Sequence, residues 1–215
     1  MSYLNTIVDT VLHIDVYLNT FVNAYGFWTY LALFVVIFCE TGLVVTPFLP
    51  GDSLLFTAGS IAAQPDNSLN IFLLFILLLL ASVLGNQVNF LTGRALGPLI
   101  FITKKSRLLN KKHIESTRDF YEKHGGKTLI FARFVPIIRT FAPFVAGIGK
   151  MQTRLFSLYN LAGAVLWIGS LSGLGYFLGS IPLIKNNFVW VIYGVIIISL
   201  LPPLITFLNH KHFNR

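Results

Sequence analysis

Residues 38–52 read FCETGLVVTPFLPGD, and this stretch decides how the chain folds. It is mostly apolar, yet it carries two carboxylates and two prolines. Proline lacks a backbone N–H and blocks helix continuation, so Pro47, Pro50 and the adjoining Gly51 predict a loop. In hydrocarbon, broken backbone persists only where protein or a water-filled cavity shields it. We therefore predict that residues 41–64 form a re-entrant loop and not a straight span.

A second stretch, residues 131–147 (FARFVPIIRTFAPFVAG), repeats these features. It combines an apolar composition with two arginines and with helix-interrupting residues at Pro136, Pro143 and Gly147. We predict a second re-entrant loop over residues 128–150. Both predicted loops contain a Phe-x-Pro triplet (residues 48–50 and 134–136) followed by Ala-Gly (residues 58–59 and 146–147), although the spacings differ by two residues. Two such loops entering from opposite faces are typical of inverted-repeat transporters.

The composition around these stretches is that of a membrane protein. Of 215 residues, 55% are hydrophobic and only 11% are charged, whereas soluble domains carry about a quarter charged residues. We predict an all-α polytopic fold in a single membrane domain, residues 1–215, with an amphipathic interfacial helix over residues 1–25. The apolar runs predict about four full spans: one beginning near Phe27, one from Ile71 to Arg94, and two over residues 155–184 and 188–208.

The net charge of +8 is concentrated in residues 103–127, which hold half of the sixteen lysines and arginines. A basic loop between apolar spans is what the positive-inside rule predicts for a cytoplasmic connection. Such a loop also attracts anionic lipid headgroups. A nucleic-acid partner is disfavoured, because no soluble face with interleaved aromatic residues accompanies the charge.

The charges inside the apolar stretches are Glu40, Asp52, Arg133 and Arg139. Each ionised group at the bilayer centre costs roughly 2.5–3.5 kcal/mol on insertion scales, so four separate groups would cost on the order of 10 kcal/mol. We expect these two carboxylates and two guanidinium groups to pair or to face water. In one interpretation they are structural ion pairs that pin the two loops together. Buried pairs stabilise poorly relative to apolar replacements, which favours a functional interpretation.

In the functional interpretation the two kinds of charge have separate roles. A low-dielectric environment raises the pKa of a carboxylic acid towards neutrality, so Glu40 and Asp52 are candidate proton carriers. Arginine stays protonated and offers a planar fork that fits phosphate oxygens, so Arg133 and Arg139 are candidate ligands of an anionic headgroup. Arg94, at the end of a span, is interpreted as reaching the interface.

Motifs for other functions are absent from the sequence. Gly126-Lys127-Thr128 lacks the first glycine of a phosphate-binding P-loop, so no ATP site is expected. No His, Cys and carboxylate cluster has metal-site spacing, and no nucleophile–base set for hydrolysis is apparent. We expect no cofactor, no metal and no enzymatic activity. Tyr159 and Asn160 are interpreted as packing residues, with a cavity-lining role as the alternative.

Three segments together resemble one known family, the DedA family (VTT domain, once called SNARE-associated). They are FCETG at 38–42, PFLPGD at 47–52 and FARFVPIIR at 131–139. The resemblance implies a multi-pass protein of the bacterial inner membrane with two re-entrant loops and with functional roles for Glu40, Asp52, Arg133 and Arg139. It also implies proton-gradient-dependent lipid transport, including transport of undecaprenyl phosphate for envelope synthesis.

One departure from the family pattern concerns the segment Gly85 to Arg94. Many members carry Gly-Asp, then a tyrosine, before Gly-Arg. This chain has Asn86 and Phe90 at the corresponding places. A role for that carboxylate is therefore not expected here.

The function that we predict is proton-coupled flipping of a lipid phosphate such as undecaprenyl phosphate, with an anionic lipid and protons as partners. Four alternatives stay open from the sequence. They are a gradient-independent phospholipid scramblase, a proton-coupled small-cation exporter, an intramembrane lipid phosphatase, and a structural module whose basic loop binds partner proteins.

Overall fold

The computed structural model describes residues 14–43, 51–64, 69–102, 126–179 and 181. These residues are predominantly helical and include no strand. Seven helices occur in this part of the chain: α1 (Ile14–Tyr25), α2 (Trp28–Gly42), α3 (Gly51–Ala62), α4 (Ile71–Ile102), α5 (Lys127–Ala132), α6 (Pro136–Ile148) and α7 (Thr153–Gly179). The all-helical class predicted from the sequence is confirmed for them.

Two of the described helices are long and apolar enough to cross a bilayer. They are Ile71–Gly97 within α4 and Thr153–Gly179, each of 27 residues, with mean hydropathies of 2.4 and 1.6. At 1.5 Å per residue each is roughly 40 Å long, against a hydrocarbon core of about 30 Å. The predicted span over residues 188–208 lies outside the described residues. The total of four spans stays a prediction.

Helix α2 is shorter than the predicted first span. Its 15 residues extend roughly 22 Å, so this helix alone does not cross the hydrocarbon core. It ends at Gly42, two residues after Glu40. Pro47 and Pro50 lie outside the described residues, and Gly51 is the first residue of α3. The predicted loop at 41–64 therefore contains a helix in its second half.

The predicted loop at 128–150 is a broken helix. Helix α5 ends at Ala132, and α6 begins at Pro136. Val135 is extended (φ −116°, ψ 107°) because it precedes a proline, and Pro136 suits the first helical position since its missing N–H needs no partner there. Backbone N–H groups of residues 133–135 donate to carbonyls three residues earlier, at 3.1–3.3 Å.

Two residues predicted to shape this loop have other places in the structure. Pro143 lies inside α6 and does not interrupt it. The helix therefore tolerates the loss of the hydrogen bond that residue 143 would donate to the Arg139 carbonyl. Gly147 is also helical, and a Cβ there would collide with the backbone of Phe90 and Arg94 in α4. Its small size serves close packing of α6 on α4 and not a turn.

The chain forms two compact units. The first unit comprises Met1–Val36, Pro50–Leu79 and Ile168–Arg215, and the second comprises Ile37–Leu49 and Leu80–Trp167. Helices α2, α4 and α7 contribute residues to both. The single membrane domain over residues 1–215 stays a prediction.

In the first unit, α1 packs against α3, and α3 packs closely on α7. A Cβ on Gly59 would collide with the backbone of Ser172, so the small residue permits this approach. Asn70 caps α4, because its Oδ1 accepts the backbone N–H groups of Phe72 (2.9 Å) and Leu73 (3.2 Å). Of the predicted N-terminal amphipathic helix, residues 14–25 are helical and residues 1–13 lie outside the described part.

The second unit has an apolar core built by α4, α5, α6 and α7. Its buried members are Phe90, Leu129, Ala132, Ala142, Ala146 and Phe156. The rings of Phe90 and Phe156 stack with centroids 4.1 Å apart. A Cβ on Gly93 would collide with the backbone of Phe144, so α4 and α6 approach each other closely at this point.

The close approach of α4 and α6 makes Gly93→Ala destabilising. The added methyl would meet backbone atoms of Phe144, which cannot rotate away, and overpacking of this kind costs about 1–3 kcal/mol. Gly97→Ala, one turn later, is the matched control because its Cβ would lie 3.5 Å from the Ile148 Cα, an ordinary contact. Thermal unfolding in detergent should show a lower midpoint for Gly93→Ala only. Equal midpoints for the two variants would contradict this packing.

Candidate functional site

Three of the four predicted site residues lie in the second unit and are buried. Glu40 lies in the last turn of α2, Arg133 directly follows α5, and Arg139 lies in the first turn of α6. Their relative exposures are 0%, 2% and 2%. Two helix ends and one helix start thus carry the charged side chains of the site.

Glu40 and Arg139 form a buried ion pair, in which the Arg139 Nη2 donates to the Glu40 Oε1. The Arg139 guanidinium lies over the ring of Trp167, with Cζ 4.6 Å from the ring centroid. A cation over an indole face is attracted by the ring quadrupole. The guanidinium therefore contacts both a carboxylate and an aromatic ring.

The end of α2 is held by amide side chains of α4. The Thr41 carbonyl lies in the last turn, where carbonyls lack an intrahelical donor. It accepts a hydrogen bond from the Nδ2 of Asn89 at 3.1 Å and, with the Asn86 amide in the orientation that its neighbouring donors and acceptors require, another from the Nδ2 of Asn86 at 3.1 Å. Gly42 and Gly85 allow this approach, since a Cβ on Gly42 would lie only 3.3 Å from the Gly85 Cα.

Arg133 is bound by neutral oxygens. Its Nη1 donates to the Ser82 Oγ (2.6 Å), and its Nη2 donates to the Asn86 Oδ1 (2.7 Å) and to the Asn160 carbonyl (3.1 Å). The Nη2 also donates to the Asn160 Oδ1. Gly163 makes room for the side chain, since a Cβ there would lie 2.9 Å from the Arg133 Cδ.

The two arginines differ in their electrostatic environment. Arg139 has a carboxylate partner, whereas the acceptors of Arg133 in the described part of the chain are uncharged. The two guanidinium groups also repel each other. The buried charges described in the second unit therefore sum to one carboxylate against two guanidinium groups.

Asp52, the fourth predicted residue, belongs to the first unit. It lies in the first turn of α3 and is partly buried. The N-terminus of a helix favours a negative charge, which suits a carboxylate at this position. Its pairing with the arginines stays a prediction.

Reasoning from sequence missed several residues that complete the site. Ser82, Asn89 and Trp167 were not singled out, and Asn160 was interpreted chiefly as a packing residue. A usable signal is the pair Asn86 and Asn89, one turn apart in an otherwise apolar helix. Amides in a membrane span bond to neighbouring helices when partners are within reach.

No group of three or more His, Cys, Asp or Glu residues suitable for a metal occurs in the described ranges. Arg94 is exposed, and its Nη1 donates to the Thr153 Oγ1 at 2.6 Å. Arg94 therefore differs from Arg133 and Arg139, which are both buried. The site chemistry in the second unit is therefore that of guanidinium, carboxylate, amide and hydroxyl groups.

Comparisons with known proteins agree with the resemblance. The VTT domain matches residues 49–177. The protein DedA of Escherichia coli K12 is 49% identical over 211 residues, which are 98% of this chain and 96% of that protein. An uncharacterised membrane protein of Mycobacterium leprae is 41% identical over 174 residues, 81% of this chain and 77% of its own. The inner membrane protein YghB of E. coli K12 is 32% identical over 158 residues, 74% of this chain and 71% of its own. No solved structure matches.

The Glu40–Arg139 pair predicts a non-additive mutant cycle. Glu40→Gln and Arg139→Gln should each destabilise the protein by about 3–5 kcal/mol, because each leaves one buried charge without its partner. The double variant should lose less than the sum of the two. Unfolding of all four proteins in one detergent measures the coupling, and additive losses would show that the pair is not an energetic unit.

Proposed function

Because the chain belongs to the DedA family of membrane proteins and carries its VTT domain, we propose that it carries a lipid phosphate headgroup across the bilayer. The headgroup follows a polar path through the protein while the lipid tails stay in the hydrocarbon. The proposed location is the bacterial inner membrane, which the chain crosses several times. The proposed substrate is a lipid monophosphate such as undecaprenyl phosphate.

The observation that carries this proposal is the buried Glu40–Arg139 pair beside a second buried arginine. A phosphate and a carboxylate present similar oxygens to a guanidinium fork, so they compete for the same donors. The headgroup therefore has a place to bind whenever Glu40 releases Arg139. Trp167 keeps the guanidinium plane oriented while its anionic partner is exchanged.

Arg133 supports the same interpretation by its lack of an acidic partner in the described residues. Hydrogen bonds from a cation to an anion are roughly twice as strong as those between neutral groups. Phosphate oxygens would therefore compete well with the neutral oxygens of Ser82, Asn86 and Asn160. A bound phosphate also supplies the negative charge that two neighbouring guanidinium groups require.

Protons couple to the lipid through the carboxylates. When Glu40 takes a proton it loses its charge, Arg139 is released, and the headgroup binds. When the headgroup leaves, deprotonated Glu40 pairs with Arg139 again. In the proposed cycle Asp52 is the second proton carrier, and no nucleotide is needed. The transmembrane proton gradient drives the exchange in one direction.

A flipping assay tests this function. The purified chain is reconstituted into phosphatidylcholine vesicles with a trace of phosphate-labelled undecaprenyl phosphate, and an impermeant phosphatase is added outside. Label in the inner leaflet becomes accessible only after flipping. We expect the chain to accelerate release, more so with a pH gradient and less after a protonophore. No acceleration over protein-free vesicles would overturn the proposal. Equal, gradient-independent flipping of fluorescent phosphatidylcholine would replace it by a scramblase.

Glu40→Gln tests the proton step. The amide resembles the protonated acid and cannot change its charge, so the pH gradient should no longer stimulate flipping. Glu122→Gln removes a carboxylate from the basic segment 103–127 of the sequence and should keep the stimulation. The flipping rate with and without a gradient is the measurement. Full stimulation in Glu40→Gln would exclude this residue as the coupling carboxylate.

Arg139→Lys tests the requirement for a planar fork. Lysine keeps the charge but loses the two parallel N–H donors and the flat face over Trp167. A charge-assisted hydrogen bond is worth about 1.5–3 kcal/mol, so we expect the flipping rate to fall about tenfold or more. Arg94→Lys is the matched control, since Arg94 is exposed and lies outside the site. Wild-type flipping by Arg139→Lys would contradict the proposed role.

A further inference from the structure

We propose that Asn89 is a positioning residue that holds Glu40 and Arg139 at the right distance from each other to form their ion pair. It does so by bonding to the backbone directly beside both residues. Its effect on transport rests on the proposed function, whereas its effect on the ion pair does not. Neither the sequence features nor the family resemblance assign a role to Asn89.

The geometry of Asn89 is that of a bridge. Its Nδ2 donates to the Thr41 carbonyl in α2 at 3.1 Å and to the Thr140 carbonyl in α6 at 2.8 Å. Thr41 follows Glu40 in the chain, and Thr140 follows Arg139. A primary amide has two N–H hydrogens, and Asn89 uses one for each helix.

The two bonds act on the ion pair through rigid backbone. Within a helix, the position of one carbonyl fixes the Cα of the preceding residue and the direction of its side chain. Fixing the Thr41 and Thr140 carbonyls to one nitrogen therefore sets the separation of the Glu40 and Arg139 backbones. The exposure of Asn89 is 0%, so neighbouring atoms surround the bridge on all sides.

The other end of the same amide argues against a role in stability alone. The Asn89 Oδ1 is buried and has no hydrogen-bond partner in the described ranges. An unsatisfied buried acceptor is costly, and a leucine of similar size would avoid that cost. The presence of an amide here is therefore better explained if its two N–H donors are needed to bond α2 and α6.

The experiment compares Asn89→Leu, which removes both donors, with Gln87→Leu as the matched control. Gln87 is an amide on the same helix whose described partner is Ser157, away from the ion pair. The first readout is the unfolding midpoint, measured in the wild-type background and in the Glu40→Gln/Arg139→Gln double variant. We expect Asn89→Leu to lower the midpoint clearly more in the wild type than where the ion pair is absent, because in both backgrounds it also removes a donor from the Thr41 and Thr140 carbonyls. An equal decrease in both backgrounds would reduce Asn89 to a structural tether and overturn the proposal.

The second readout uses Cys39, the chain's single cysteine and the neighbour of Glu40. Its labelling rate with a maleimide reports movement of the end of α2 and needs no transport activity. We expect faster labelling in Asn89→Leu, wild-type labelling in Gln87→Leu, and partial return in Asn89→Gln, which keeps both N–H donors. Unchanged labelling in Asn89→Leu would contradict the bridge. If this variant does not fold, Asn89→Ser, with one donor, replaces it in both measurements.

Flipping of undecaprenyl phosphate in the vesicles described above separates failure of this inference from failure of the proposed function. Misplacing site groups by about 1 Å costs up to roughly 100-fold in rate, so we expect at least a tenfold loss in Asn89→Leu and none in Gln87→Leu. If the wild type does not flip the lipid, the proposed function fails while the unfolding and labelling readouts still decide the role of Asn89. If the wild type flips it and Asn89→Leu flips it equally fast, the positioning role fails alone.

Discussion

The contact between Glu40 and Arg139 is the constraint on which the second unit depends. Each group is almost completely buried, and a buried charge without a partner costs several kcal/mol. Removing either charge alone is therefore costly, although the two residues are far apart in the sequence. Helices α2 and α6 must therefore meet where Glu40 and Arg139 face each other. This requirement limits where α2 can end and where α6 can begin.

A helix that ends inside apolar surroundings leaves carbonyl groups that need donors. The chain meets this need in two ways. At the end of α2 the donors come from another helix, since Asn86 and Asn89 bind the Thr41 carbonyl. At the break between α5 and α6 they are local, because residues 133–135 donate to carbonyls three residues earlier. The first arrangement fixes the end of α2, which carries Glu40, to α4. The second places Arg133 in a tight turn between α5 and α6.

Much of this arrangement is predictable from the sequence, and the remainder depends on contacts that no local pattern contains. Charges in apolar segments identify Glu40, Arg133 and Arg139, and the Val135-Pro136 step locates the break, because both follow from the chemistry of single residues. Pro143 was expected to shape a loop but lies within a helix, since one missing hydrogen bond does not outweigh the packing of α6 on α4.

Asn89 was missed for a related reason. Its two acceptors come from helices 48 and 51 residues away, so only the tertiary structure brings them together. The long apolar sequence of α4 predicts a span, but it does not show which side of the helix faces α2 and α6. The partners of Arg133 on α4 and α7 are equally unpredictable from local sequence patterns, because its acceptors lie 51 and 27 residues away.

The unequal surroundings of the two arginines bear on how one site can serve both a proton and a phosphate. If both guanidinium groups were fully paired with carboxylates, an arriving anion would have to displace a charged partner at each of them. If neither were paired, the buried positive charge would hold the headgroup too tightly to release it. One paired arginine beside one with neutral partners avoids both extremes. In the proposed cycle the positive charge of Arg133 attracts the anion, and protonation of Glu40 decides whether Arg139 also binds it. A single proton would then change the net charge that the headgroup meets.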